Sequence, residues 1–345
     1  MTAAPHPDVA DLVLAGGGVK GIGLAGAVVA LADAGYRLNR VSGTSAGAVV
    51  GAIVAAGSKA GWTGEQMRDA VFGIKYRKFL DPGPVERIPL LGPAFAVLRG
   101  SGIYQGDYAH AWIRDTLKDL GVSTFGDLRM DDEDIPEERR YRLVVTVTDI
   151  TRGLLVRLPW DYRSVYGLDP DEQSVADAVR ASMSIPFYFR PATLTATSGL
   201  TSTLVDGGLL SNFPIDSLDR IDTEQPRWPT FGVTVLPNLP ADNDKVLPPL
   251  RLLRPFSALG DSPELIEGIV TTVLVGRDQA HLNQPWVSAR TIRVDSTDVG
   301  VLDFHLDKSE IEAQFAKGYE AAQGFLSTWN WVEYVKRYRS HGKRW

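Results

Sequence analysis

The first apolar run of the chain, DLVL at 11–14, leads without a polar break into AGGG. It is followed by IGLAGAVVALADAG at 22–35, a stretch of small and apolar residues with no charge before Asp33. That pattern predicts a strand, a glycine turn and a buried helix ending at Gly35. A second strand is predicted at 37–42. It runs into a serine between two glycines, and AGAVVGAIVAAG at 46–57 then predicts a second buried helix. The order β-α-β-α implies two parallel neighbouring strands, so the glycine loop and Ser45 lie side by side at their carboxyl ends.

Further along, residues 74–106 are rich in Pro and Gly and have no clean period, which predicts an excursion from the sheet. DYAHAWIRDTLKDLG is an amphipathic helix, DDEDIPEE a solvated loop, and YRLVVTVTDI with LLVRLP a strand pair. SVADAVRASMSIP predicts a helix with Ser174 as its N-cap and an end before Pro186. STLVDGG sets a short strand before a double-glycine turn, TFGVTVL and ARTIRVD are later strands, and 262–282 and 308–326 are long helices. No linker, repeat or low-complexity tract divides the chain, so we read one domain over 8–330, the 74–106 insertion included, and a basic tail at 331–345.

Composition narrows the chemistry. The chain has 345 residues, 44% of them hydrophobic, no cysteine and a formal net charge of −6. Thiolate nucleophiles, disulfides and cysteine metal sites are excluded, and the acidic balance argues against a general nucleic-acid binder. The final KRYRSHGKRW is locally basic and reads as a solvated end. No secretory leader and no apolar run of the roughly 18 residues that span a bilayer is present, so a cytoplasmic protein is expected. Its oligomeric state is not specified.

AGGGVKGIG contains a literal G-x-G-x-x-G at Gly16, Gly18 and Gly21. A dinucleotide site would also need an acidic residue at the end of the second strand, where Val41, Ser42 and Gly43 stand instead. A P-loop fails because Ile22 stands where lysine is required. The same loop suits an oxyanion hole, in which backbone N–H groups at a helix N-terminus face a tetrahedral acyl intermediate. The expected donors are Gly17, Gly18 and Val19, with Lys20 pointing away as an anchor.

Beside it, Gly43, Thr44, Ser45, Ala46 and Gly47 form a G-x-S-x-G motif between a strand and a helix, the setting of a nucleophile elbow. The alternative is an ordinary glycine-flanked turn. A base is still needed. The five histidines, His6, His110, His281, His305 and His341, lie in no glycine-bounded turn. Asp206, followed by Gly207 and Gly208, ends a short strand where a carboxylate could approach Ser45. An Asp-Gly hairpin turn is the plainer meaning of those residues.

Taken together, GGGVKG, GTSAG, RASMSIPFYFRP and DGGLLSNFP resemble the patatin-like lipid acyl hydrolases, in the family order and over about residues 10–215. TDITRG and the helix after VLDFHL extend a weaker likeness to about residue 328. The resemblance implies a three-layer α/β/α sandwich with a mainly parallel sheet. It implies a Ser45–Asp206 dyad without histidine, an oxyanion loop over 16–21, a structural Pro186 and acyl-lipid substrates, usually phospholipids, cleaved without metal or cofactor. The 74–106 insertion matches nothing in the family pattern.

Two rivals remain: an α/β-hydrolase with a triad completed by His281 or His305, and a lipid-binding protein without turnover. The insertion also mixes Phe79, Leu80, Ile88, Leu90, Leu91, Phe95, Val97 and Leu98 with Lys75, Arg77, Lys78, Arg87 and Arg99. That suits either peripheral contact with an anionic membrane or a packed subdomain.

Overall fold

A computed structural model describes residues 7–82, 102–222, 224–235 and 279–339. Its centre is an eight-stranded sheet. Five strands run parallel: β1 (Val9–Leu14), β2 (Arg37–Thr44), β3 (Leu143–Asp149), β7 (Thr230–Thr234) and β8 (Thr291–Arg293). β4 (Leu154–Leu158) and β6 (Thr201–Asp206) are antiparallel to β3, and β5 (Ala192–Thr195) is antiparallel to β6. The order is β5-β6-β3-β2-β1-β7-β8, with β4 also on β3.

Alternation along β1 divides the core. Leu12 and Leu14 join the larger hydrophobic cluster, while Val13 and Ala15 join a second one with Phe213, Ile215 and Val287. Successive side chains of a strand point to opposite faces, so β1 is covered on both. On the first face lie α1 (Gly21–Asp33), α2 (Ala46–Lys59), α3 (Gly64–Phe72), α4 (Asp107–Asp119), α5 (Val175–Ser182) and α6 (Lys308–Leu326). Segment 213–218 and the single-turn helices Gln279–Leu282 and Pro285–Ser288 cover the second. The fold is thus mixed α/β, with a mostly parallel central sheet flanked by helices.

α1 and α6 meet backbone to backbone: a Cβ built on Gly318 would lie 1.9 Å from the Gly23 carbonyl oxygen, and one on Gly26 would lie 2.0 Å from that of Phe315.

β3 carries β4 along one edge. On its other edge β2 and β6 abut end to end, because Thr44, the last residue of β2, pairs with Thr146 while Asp206, the last of β6, pairs with Val147. Two strands from distant parts of the chain therefore deliver their carboxyl ends to adjacent residues of a third.

The basic end expected to be solvated begins within a helix among its described residues, because Trp331–Tyr338 forms helix α7. Tyr334 is buried, and Arg339 reaches Asp219 at 2.6 Å, sharing it with the buried Arg290. Burial pushes the Asp219 carboxyl up, but the two arginines outweigh it and hold the group below its ordinary range. At the start of the insertion, Phe79 follows the packed alternative: it is only 5% exposed and packs on Phe304 and Trp112. Ile88, Leu90, Leu91, Phe95, Val97, Leu98, Arg87 and Arg99 lie outside the described residues, as do His6, His341 and most of the 262–282 helix.

Candidate active site

Ser45 is the single residue between β2 and α2, at φ 53° and ψ −119°. An L residue held there costs about 1–3 kcal/mol and persists only where its surroundings fix it. Close packing fixes it here. A Cβ on Gly47 would fall 2.2 Å from the Leu14 carbonyl oxygen, so α2 begins directly against β1. The Ser45 N–H donates to Ser182 Oγ at 2.8 Å, and the Ser182 hydroxyl in turn donates to the Thr146 carbonyl at 2.7 Å. The serine thus stands at the N-terminus of α2, where the helix dipole favours developing negative charge.

The end-to-end meeting of β2 and β6 brings Asp206 to the same place. Its N–H donates to the Ser184 carbonyl at 2.9 Å, and Oδ1 accepts from the Gly208 N–H at 2.8 Å. The carboxyl is 1% exposed. Burial raises its pKa to about 7, while the Ser45 hydroxyl and the Gly208 N–H pull it down. Oδ2 has no partner of ordinary hydrogen-bond geometry, so the Ser45 contact is near but open. Such contacts in free enzymes are often long and tighten when substrate arrives. A Cβ on Gly207 would lie 2.2 Å from the Thr146 carbonyl oxygen, which keeps this turn against β3.

The glycine loop lies above Ser45. A Cβ on Gly16 would lie 3.2 Å from that of Ser45, and the Gly16 N–H and carbonyl are tied to Asn212, at 3.1 Å to its backbone oxygen and 3.4 Å from its side-chain Nδ2. Gly18 has φ +57° and leaves no room for a Cβ, which would meet the Val301 carbonyl oxygen at 2.0 Å. That same carbonyl takes the Val19 N–H at 2.9 Å. Val19 is therefore not an available oxyanion donor, and among the described residues the N–H groups of Gly17 and Gly18 remain uncommitted. Lys20 is buried at the foot of the loop, and the Gly21 N–H closes the turn onto the Gly18 and Val19 carbonyls.

Ser45 opens into a cavity of about 550 Å³, partly continuous with solvent, whose other walls are apolar: Val50, Val71, Phe79, Ile185, Phe189 and Phe304 among them. Pro186, in the turn after α5, sits between Ile185 and the positive-φ Phe187, and this turn directs Ile185 and Phe189 into the cavity. A second cavity of about 220 Å³, between α1, α2 and α3, shares the Val50 and Val71 walls.

The described histidines are elsewhere. His110 bonds Asp177 at 2.7 Å, His281 packs on the Trp286 ring, and His305 is exposed. Ser182, Asn212 and Val301 had no assigned role in the sequence. Only their long-range partners reveal one.

A strained serine on a strand–helix elbow, a neighbouring buried carboxyl and a glycine loop on a mostly parallel sheet define a class of α/β hydrolytic scaffold. The family model for patatin-like phospholipases matches residues 12–219, and the chain belongs to that family of lipid hydrolases. It is 33% identical to the protein YqhO of Bacillus subtilis (strain 168) over 325 residues, covering 93% of this chain and 99% of YqhO. It is 27% identical over 327 residues to an NTE family protein of Mycobacterium tuberculosis (strain CDC 1551 / Oshkosh), covering 91% of this chain but 46% of that longer protein. Among solved structures, VipD from Legionella pneumophila shares the fold with a TM-score of 0.53 at 20% identity, over 93% of this chain and 67% of VipD.

Proposed function

We propose that this chain hydrolyses fatty acyl esters of glycerophospholipids through a Ser45–Asp206 dyad. Ser45 Oγ attacks the acyl carbonyl carbon and its proton passes to the Asp206 carboxylate. The resulting oxyanion is met by the Gly17 and Gly18 N–H groups. Collapse breaks the ester bond, and the leaving alcohol, a lysophospholipid, takes the proton from Asp206. Water then gives a proton to Asp206 and attacks the acyl-enzyme, and the fatty acid departs as Ser45 recovers its proton. No step calls on a histidine, metal or cofactor.

One observation carries the reading: Asp206 is a buried carboxyl, with a pKa near 7 and one oxygen uncommitted, beside the hydroxyl of a backbone-strained serine. An ordinary aspartate is too weak a base for a serine, and this environment brings its pKa toward the working range. The apolar cavity supports an acyl chain as the bound group, and the family supports a phospholipid as its source. No described helix is long and apolar enough to cross a membrane.

The test is fluorophosphonate labelling alongside fatty-acid release from phosphatidylcholine. The wild type should label at Ser45 and release acid, and folded Ser45→Ala should do neither. Labelling without turnover on any acyl lipid would favour the binding-protein reading. Turnover by folded Ser45→Ala would remove the mechanism.

A further inference from the structure

Toward the N-terminal ends of β1, β2 and β7, away from Ser45, lies a separate cavity of about 650 Å³, partly open to solvent. Its wall is dense in charge, and the pairing is uneven. Asp11 is taken by Arg40, Asp222 by Arg220, Asp134 by Arg227, and Asp219 by both Arg290 and Arg339. No lining carboxylate is left for Arg139. Its side chain makes no hydrogen bond or ion pair among the described residues and instead lies over the Trp160 ring, 4.9 Å from the centroid. Burial first, and then the charge of Arg157, disfavour the cationic form of Arg139; Glu138 and Asp161 oppose them, and Arg40 adds the smallest contribution.

Two more donors in this wall are idle. Trp160 Nε1 is buried without a partner, and so is the hydroxyl of Ser217, a residue only 6% exposed. A buried donor left unpaired costs about 1–3 kcal/mol, so orphans gathered on one cavity call for an acceptor. Every acidic side chain in the wall is already engaged by an arginine. The missing partner is therefore an acceptor-rich group that also carries negative charge.

We propose that this cavity is an anion site for a phosphate-type group, held by the Arg139 guanidinium, the Trp160 indole N–H and the Ser217 hydroxyl. A guanidinium fork matches two oxygens of such a group, and the indole and hydroxyl donors supply the remainder. The group could belong to a soluble phosphate compound or to an acidic lipid headgroup. The site lies outside the Ser45 cavity and does not depend on the hydrolytic reading.

The experiment titrates the full chain calorimetrically with inorganic phosphate in an oxyanion-free buffer, and separately measures its flotation with phosphatidylcholine vesicles with and without phosphatidic acid. Arg139→Gln should weaken binding roughly tenfold or more, and Trp160→Phe, which keeps an aromatic ring but deletes the N–H, by a few-fold. Arg114→Gln, at an exposed arginine paired with Asp115, should leave binding unchanged, as should Ser45→Ala. Arg139-dependent binding of free phosphate supports a soluble ligand, and Arg139-dependent flotation on phosphatidic acid alone supports a lipid headgroup. If neither arm depends on Arg139 in variants with wild-type circular dichroism and melting, the proposal is overturned.

Discussion

The Ser182 hydroxyl holds the backbone of Ser45, accepting its N–H at 2.8 Å while donating to the Thr146 carbonyl of β3 at 2.7 Å. One buried side chain thus links α5, the elbow and the strand on which β2 and β6 converge. It does not line the cavity and its two hydrogen bonds go to Ser45 and Thr146, so under the proposed mechanism its influence runs through the placement of Ser45.

Ser182→Ala should lower kcat by roughly 5- to 150-fold, the range for about 1–3 kcal/mol of lost placement when two buried backbone groups are orphaned. KM for a short soluble ester should change little. A steady-state comparison decides: a raised KM at unchanged kcat would assign Ser182 to substrate binding instead.

Under the proposed mechanism the raised pKa of Asp206 sets the pH dependence. Only the carboxylate accepts the serine proton, so kcat/KM should rise tenfold per pH unit up to about 7 and then level off. The profile should be recorded on a soluble ester at constant ionic strength. A rate that stays flat down to about pH 5 would show that Asp206 is not the titrating base.

The same shift has a stability consequence of opposite direction to that of a salt-bridged aspartate. Because the folded-state pKa lies above the unfolded value, the folded protein is favoured while Asp206 is protonated, and that advantage is lost as pH rises through about 7. Asp206→Asn should therefore be inactive yet melt above the wild type at pH 8, with the difference shrinking toward pH 4. Equal melting temperatures at both pH values would contradict a buried carboxyl that resists ionisation.

Val50 and Val71 form the partition between the cavity at Ser45 and the 220 Å³ cavity behind it. Val71→Ala should join the two and shift preference toward longer acyl chains, raising the long-to-short kcat/KM ratio by about tenfold or more for each methylene newly housed. The truncation should also lower stability by about 1–3 kcal/mol. Competition between esters of graded length reads the first effect and denaturant unfolding the second. An unchanged chain-length profile would place the acyl group elsewhere.

Alanine at His281 or His305 should leave activity within roughly tenfold, against losses of 10³ or more when a general base is removed. The described contacts put His281 on Trp286 and leave His305 facing solvent. An inactive but folded single variant would restore the triad reading.

Much of this was legible in the chain. The β1-α1-β2-α2 order, the elbow and the Ser174 cap follow from local patterns that tertiary structure does not override: apolar runs, small residues and a side chain that caps its own helix. That Asp206 could approach Ser45 was suggested by its strand-end position and assigned through the resemblance, but the physical cause of their meeting, the register of β2 and β6 on β3, was not legible in the sequence. Nothing near Val19 announces that its N–H is bound by Val301. Helix α3 buries only Gly64, Met67 and Val71, too few positions to give a strong period, and β5 is a short, half-exposed edge. In α7 the basic residues masked the spacing of Trp331, Tyr334 and Tyr338, the aromatics that make it a packed helix.

The glycine contact between α1 and α6 bears on when the protein becomes active during synthesis. The late segment supplies the Val301 carbonyl to the Val19 N–H, the Phe304 ring to the cavity wall and Gly318 to the back of α1. These contacts span almost the whole described sequence, the kind of long-range closure that comes late in folding. A nascent chain halted near residue 300 should already contain the Ser45 elbow sequence yet resist fluorophosphonate, and prompt labelling of such a chain would argue otherwise. The expected order is that of a timer, in which the serine is made early but its glycine loop is seated only once Val301 has been translated.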